Sequence, residues 1–156
     1  VEAAAALAQG VRRGGGEAVE LPIADGGEGT ALVLRQALGG EWRTAHASDP
    51  LGRPIEAEYL VLPDGTAVVE SAAAAGLGLL AASERDPLVA STAGLGELLA
   101  AVLDGGPSAV LVGIGGTATV DGGEGMRRVL GEWPAKVPLR IACDVQNHLL
   151  GERGAD

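Results

Sequence analysis

The sequence predicts an α/β fold: a parallel or mixed sheet with flanking helices, joined to a small antiparallel β meander. Three observations carry that expectation. The last third of the chain runs strand, glycine-rich loop, helix, strand, which is the order of a βαβ unit. The strand-like run "SAVLVGIGG" is continuously apolar rather than alternating, as a strand covered on both faces should be. The middle of the chain holds three strand-like segments, "EWRTAHAS", "PIEAEYLVL" and "GTAVVES", separated by the turn sequences "DPLGRP" and "PDG".

Taken in order, Val1 to Arg13 has helical periodicity, with Ala4, Leu7, Ala8 and Val11 on one face. "RRGGG" ends it, basic residues in the last turn and glycine after. Ala18 to Ile23 is expected as a short strand, and Thr30 to Leu38 as a second helix stopped by Gly39 and Gly40. The meander follows. "ASERDPLVAST" is expected as a loop and Gly94 to Leu103 as a helix. "DGGEGMRRVLG" opens another helix after glycines, and "LRIACDV" is expected as a second buried strand. The expected division places residues 1–40 in one α/β domain and 41–156 in a second.

Composition narrows the function. The 156 residues are 47% hydrophobic with no Phe, so any core is aliphatic. A net charge of −10 excludes nucleic acid, whose backbone calls for a basic surface. Cys143 is the only cysteine, so neither an intramolecular disulfide nor a cysteine zinc site is available. No signal peptide or membrane-spanning run is evident, and a cytoplasmic setting is expected. The chain starts inside a helical pattern without Met and stops at "GERGAD", so both ends read as cut.

Chemistry concentrates in three loops that each follow a strand-like segment and combine glycine with acid: "ADGGEGT" (24–30), "GIGGTATVDGGEG" (113–125) and "ACDVQN" (142–147). In the second, Gly113, Gly115 and Gly116 let backbone N–H groups face outward, and Thr117 and Thr119 add hydroxyls, a composition suited to phosphate. Asp121 stands where a Mg²⁺ bridging to phosphate oxygens would sit. A bare strand-to-helix turn fits the same residues. No Gly-Lys-Ser/Thr follows, so this is not a P-loop. "GIGGTA" also fits the looser dinucleotide fingerprint, with Asp144 near the end of the next strand, which keeps an NAD(P)-binding oxidoreductase domain as a rival. Against it, Asp121-Gly122-Gly123 intervenes where the fingerprint needs the helix to open. Asp25 and Glu28 fit a carboxylate pair at a strand end, and equally an N-cap acid followed three residues later by Glu. Asp144 follows Cys143 at a strand end, where a charged acid must be bonded, paired or functional. Cys143 is expected to be a small buried hydrophobe.

"LPIADGGEGT", "DPLGRPIEAEYLVLPDGTAVVESAAAAGL", "GIGGTATVDGGEGM" and "ACDVQNHLLGERGA" together resemble, in this order, the signature segments of the bacterial glycerate kinases of the tartronate-semialdehyde-pathway class. The resemblance covers almost the whole chain. It implies ATP- and Mg²⁺-dependent phosphorylation of D-glycerate, with 2-phosphoglycerate the favoured product. It also implies a two-domain α/β fold with the active site in the cleft, and leaves a homodimer open. Carried over by position, Asp144 is the candidate general base and Asp25 a second catalytic acid. Gly115, Gly116, Thr117, Thr119, Gly122 and Gly123 fall in the nucleotide loop. Gly26, Gly27, Glu28, Thr30 and Asn147 fall on the glycerate side, and Asp121 is the candidate Mg²⁺ contact.

The departures from the family pattern also matter. Thr117 replaces the usual Ser, Val120 stands where Asn is common, and His148 where Pro is typical. The link between Gly131 and Leu139 is shorter than in the family. A family strand with its "SFKGS"-like loop is expected before Val1, and a large region after Asp156. The 156 residues alone are therefore expected to be inactive, and a non-catalytic α/β fragment is the remaining alternative.

Overall fold

The computed structural model describes residues 2–144 and residue 151. The expected α/β class is what forms. Helices α1 (Glu2–Arg13) and α2 (Thr30–Leu38) precede strands β1 (Glu41–Ser48), β2 (Pro54–Val61) and β3 (Thr66–Glu70). A short helix α3 (Ala72–Ala75), two single 3₁₀ turns and α4 (Ala93–Asp104) lead to β4 (Ala109–Gly113), α5 (Glu124–Leu130) and β5 (Leu139–Ala142). The five strands lie in chain order, β1-β2-β3-β4-β5. The β1–β2 and β2–β3 pairs are antiparallel, and β3–β4 and β4–β5 are parallel. The meander and the βαβ unit thus share one mixed sheet.

Local chemistry explains the turns. Between β1 and β2, buried Asp49 accepts from the backbone N–H of Leu51 (2.8 Å) and Arg53 (2.9 Å) and from Arg53 Nε. Burial alone would raise its pKa, but these donors outweigh it and hold the carboxyl below its ordinary value.

Alternation along each strand sorts the core into two layers. Ala57, Tyr59, Ala67, Val69, Val110 and Val112 face α4, where Leu95, Leu98, Leu99 and Val102 complete one cluster. Leu60, Leu62 and Val68 point the other way and meet Ala31 of α2, with Leu34 and Leu111 at the margin. Leu98 is fully buried, so its truncation to Ala should cost roughly 2–5 kcal/mol. The expected division at residue 40 falls between α2, which packs on this second layer, and β1.

Four expectations are corrected. No strand forms over Ala18–Ile23: among the described residues the segment has no ladder partner, and Val19, Leu21 and Ile23 are 93%, 77% and 85% exposed. The apolar stripe of the first helix buries only Ala8, leaving Leu7 and Val11 exposed. β5 forms but is an edge strand with Leu139 and Ile141 exposed, so it is not the buried strand its apolar run suggested. Cys143 is likewise exposed, because it follows that edge.

Candidate active site

The parallel strands β3, β4 and β5 end on the same side of the sheet, and the glycine–acid loops gather there. Gly115 N–H donates to Gly26 O (3.2 Å), joining the first loop to the second. Ile114 N–H donates to Ala142 O (3.2 Å), joining the second to the end of β5. Ser71 N–H, just past β3, donates to Gly113 O (2.8 Å). Residues 25–28 therefore lie against the ends of both β4 and β5.

Glycine is needed here for backbone-to-backbone contact. A Cβ on Gly26, whose φ is +96°, would come within 2.6 Å of Ala142 O. A Cβ on Gly115 would come within 2.6 Å of Gly27 Cα. The glycines around Asp25 and Glu28 accommodate protein backbone, not only an approaching ligand.

The first loop has a defined hydrogen-bond pattern. Asp25 Oδ1 accepts from Gly27 N–H (2.9 Å), and the buried Thr30 Oγ1 accepts from Gly26 N–H (3.1 Å). The alternative that Asp25 and Glu28 cap the helix is not realised. Gly29, at φ +92°, is the N-cap, and no side chain bonds as a cap there. Instead Glu70, at the end of β3, accepts from Ala31 N–H (2.7 Å). Sequence reading missed Glu70 because the two residues lie far apart in the chain. The carboxylate of Asp25 and the exposed Glu28 remain at the surface of this loop.

Asp121 is placed differently. Its Oδ2 accepts from Thr92 N–H (2.9 Å), Thr92 Oγ1 (2.8 Å) and Gly125 N–H (3.1 Å), and its Oδ1 from Gly123 N–H (3.1 Å). Burial pushes this carboxyl up, but those donors outweigh it and hold it below the ordinary 3.8. Thr92 Oγ1 in turn accepts from Met126 N–H (2.9 Å), so Asp121 and Thr92 clasp the starts of α4 and α5 together. Thr92, too, escaped the sequence reading, since its link to Asp121 spans 29 residues.

A carboxylate oxygen has two lone pairs, and Oδ1 takes a single donor among the described residues, so it keeps room for one further contact. Among the described residues no group of three or more His, Cys, Asp or Glu gathers as a metal cage. Mg²⁺ fits this donor set only as an ion carried largely by phosphate oxygens and water, with one or two carboxylates.

Thr117, Thr119, Gly122 and Gly123 line a cavity of about 460 Å³ on the α4–α5 side of the sheet, beside Asp121. Gly116 O accepts from Leu77 N–H (3.0 Å), which ties this loop to the turn after α3. α5 opens only at Glu124, after Asp121-Gly122-Gly123, so the helix does not begin within "GIGGTA" as the dinucleotide fingerprint requires. Asp144 is described as an exposed residue two positions past β5. Asn147 and His148 lie outside the described residues. Among those residues no helix is long and apolar enough to cross a membrane.

Comparison with known proteins identifies the family. The model of the glycerate kinase family matches residues 1–134. A glycerate kinase of Bacillus subtilis (strain 168) is 38% identical over 188 aligned positions, covering 99% of this chain and 49% of that protein. A glycerate 2-kinase of Escherichia coli (strain K12) is 38% identical over 88% of this chain and 44% of its own length. A crystal structure of a protein assigned as glycerate kinase 2 from Salmonella typhimurium LT2 superposes with a TM-score of 0.79 at 33% identity, over 96% of this chain and 50% of that one. The chain spans about half the length of the curated relatives it matches. With four ordered sequence segments, a family match over most of its residues and a shared fold, the chain belongs to the glycerate kinase family.

Proposed function

We propose that the protein transfers the γ-phosphoryl group of ATP to D-glycerate, giving 2-phosphoglycerate. The observation that carries this reading is the meeting of the Asp25–Glu28 loop with the Gly113–Thr117 loop at the carboxyl ends of parallel strands, where such sheets bind ligands. Relatives named glycerate kinase and glycerate 2-kinase support the acceptor and favour the 2-product.

Phosphoryl transfer asks a protein mainly to position its reactants and to offset charge. Thr117 and Thr119 would offer hydroxyls to the phosphates beside the backbone of Gly116, Gly122 and Gly123. Mg²⁺, when bound with the nucleotide, supplies positive charge against the phosphate oxygens, and Asp121 Oδ1 is the residue nearest that role. Asp25 and Glu28 would orient glycerate hydroxyls. Thr30 acts by positioning, since its hydroxyl already holds Gly26 N–H. Asp144 would accept the proton of the attacking hydroxyl.

The test is direct. The full-length enzyme that carries these residues is incubated with ATP, Mg²⁺ and D-glycerate, and the product is read by ³¹P NMR, which separates 2- from 3-phosphoglycerate. No glycerate-dependent ADP release, in a protein that binds ATP, would overturn the reading. In the full-length enzyme, Asp144→Asn is expected to lower kcat roughly 10²–10⁴-fold with ATP affinity kept, as loss of a positioned general base does.

A further inference from the structure

The cavity beside the glycine–threonine loop has a size and lining that phosphates do not explain. At about 460 Å³ it is far larger than a phosphate group needs, and its walls are mostly apolar. Leu95, Leu99 and Val112 form its floor, and the half-buried Trp133 presents an indole to it. Trp133 Nε1 already donates to Val137 O (2.7 Å), which fixes the ring.

One polar atom stands out in these walls. Ser71 is only 2% exposed, lines the cavity, and its Oγ has no hydrogen-bond partner among the described residues. A buried hydroxyl without a partner is costly, and such groups in native proteins call for an explanation. Thr117 and Thr119 also line it.

We propose that this cavity takes the flat heteroaromatic base of the nucleotide, lying along the Trp133 indole with a ring nitrogen or exocyclic amine bonded to Ser71 Oγ. The inference rests on the ATP reading above and adds where the base goes. A purine is planar, apolar on both faces and polar at its edge, which matches apolar walls with one buried hydroxyl. Its ribose and phosphates would then run past Thr117 and Thr119 to the loop.

The sequence has two Trp, so Trp42→Phe leaves Trp133 as the only indole. In that background ATP, and adenosine at higher concentration, should change Trp133 emission, whereas inorganic tripolyphosphate should not. Ser71→Ala should weaken ATP binding roughly two- to tenfold, the worth of one hydrogen bond, and leave tripolyphosphate affinity unchanged. Ile141→Phe, at a half-exposed cavity position on the sheet edge that tolerates bulk, should weaken ATP at least about tenfold by filling the space.

If calorimetry shows ATP bound while Trp133 emission and both variants stay at wild-type values, the base lies elsewhere. The inference then falls and the nucleotide reading stands. If Ile141→Phe raises the melting temperature and ATP affinity is unmoved, the cavity is only a gap beside the short link 131–138, and the inference falls again. If ATP does not bind the wild-type protein at all, the nucleotide reading fails and the inference with it.

Discussion

The pentapeptide Asp-Gly-Gly-Glu-Gly occurs twice, at 25–29 and at 121–125, and the two copies share one side-chain bond but differ in backbone and in partners. In both, the Asp Oδ1 accepts from the N–H two residues on, at 2.9 Å for Asp25 and 3.1 Å for Asp121. In both, a glycine with positive φ is the N-cap of the following helix, but it is the fifth residue in the first copy, Gly29 before α2, and the third in the second, Gly123 before α5. The second oxygen separates them. Asp121 Oδ2 takes three donors from Thr92 and Gly125, whereas no hydrogen bond is made to Asp25 Oδ2 by any described residue. The glutamates diverge too: Glu124 pairs with Arg127 and Arg128, while Glu28 lies exposed beside Gly116. Five identical residues share one Asx bond but not one turn, since the helix opens after the fifth residue in the first copy and after the third in the second; tertiary partners decide which acid is tied into the fold and which stays exposed.

Substitutions can break this contrast. Asp121→Ala leaves Thr92 and Gly125 donors without their acceptor in a partly buried site. It should cost roughly 3 kcal/mol, lowering the melting temperature by about 6–12 °C for a chain of this size. A melting temperature within about 2 °C of wild type would mean the clasp carries little.

Next in size is the glycine pair. Gly26→Ala meets both the positive φ and Ala142 O, and should destabilise by roughly 2–3 kcal/mol. Gly123→Ala meets only the positive φ, its nearest neighbour being Met126 Cε at 3.6 Å, and should cost about 1 kcal/mol. Equal losses in urea titrations would show that backbone contact at Gly26 is not what matters.

Asp25→Asn keeps an oxygen for Gly27 N–H, so its stability should change by less than about 0.5 kcal/mol. Glycerate turnover by the full-length enzyme should nonetheless fall at least about tenfold if Asp25 serves the substrate. A variant with normal turnover would return Asp25 to a purely local role.

The smallest effect is a pH slope. The Asp121 carboxyl is held below 3.8, so its stabilisation is complete above that value and is lost as pH falls through the lower folded value. Glu124, drawn down to about 2 by Arg127 and Arg128, adds stability present above 4.5 and lost as pH falls from there toward 2. Acid denaturation of Asp121→Asn and Glu124→Gln should each be less steep than wild type over these windows. Unchanged curves would mean that neither acid is linked to folding.

The legible and illegible parts of the molecule divide along the same line. Helix α2, the meander, α4, β4 and α5 follow from periodicity, turn residues and glycine stops within short windows. The loops that hold Asp25, Gly115 and Thr117 were found because acid, glycine and hydroxyl residues cluster in the chain. What escaped depends on distant neighbours. Glu70 bonds α2 across 39 residues, and Thr92 bonds Asp121 across 29. The apolar run of β5 could not reveal that it ends the sheet, and Ala18–Ile23 has a strand's composition without a strand to pair with.

The strands lie in the sheet in the order they occur in the chain, yet the loop at 25–28 is held by residues near 113–115 and 142. The antiparallel pairs β1–β2 and β2–β3 join neighbouring segments, the parallel pairs β3–β4 and β4–β5 join residues 43 and 29 apart, and loop closure over roughly a hundred residues is deferred to the end. The contact that closes the glycine-loop end should be the last to form and the first to open. In native-state hydrogen exchange, the Gly115 amide should then exchange through local opening well below the global unfolding free energy, while Val110 and Leu98 exchange only with the whole sheet.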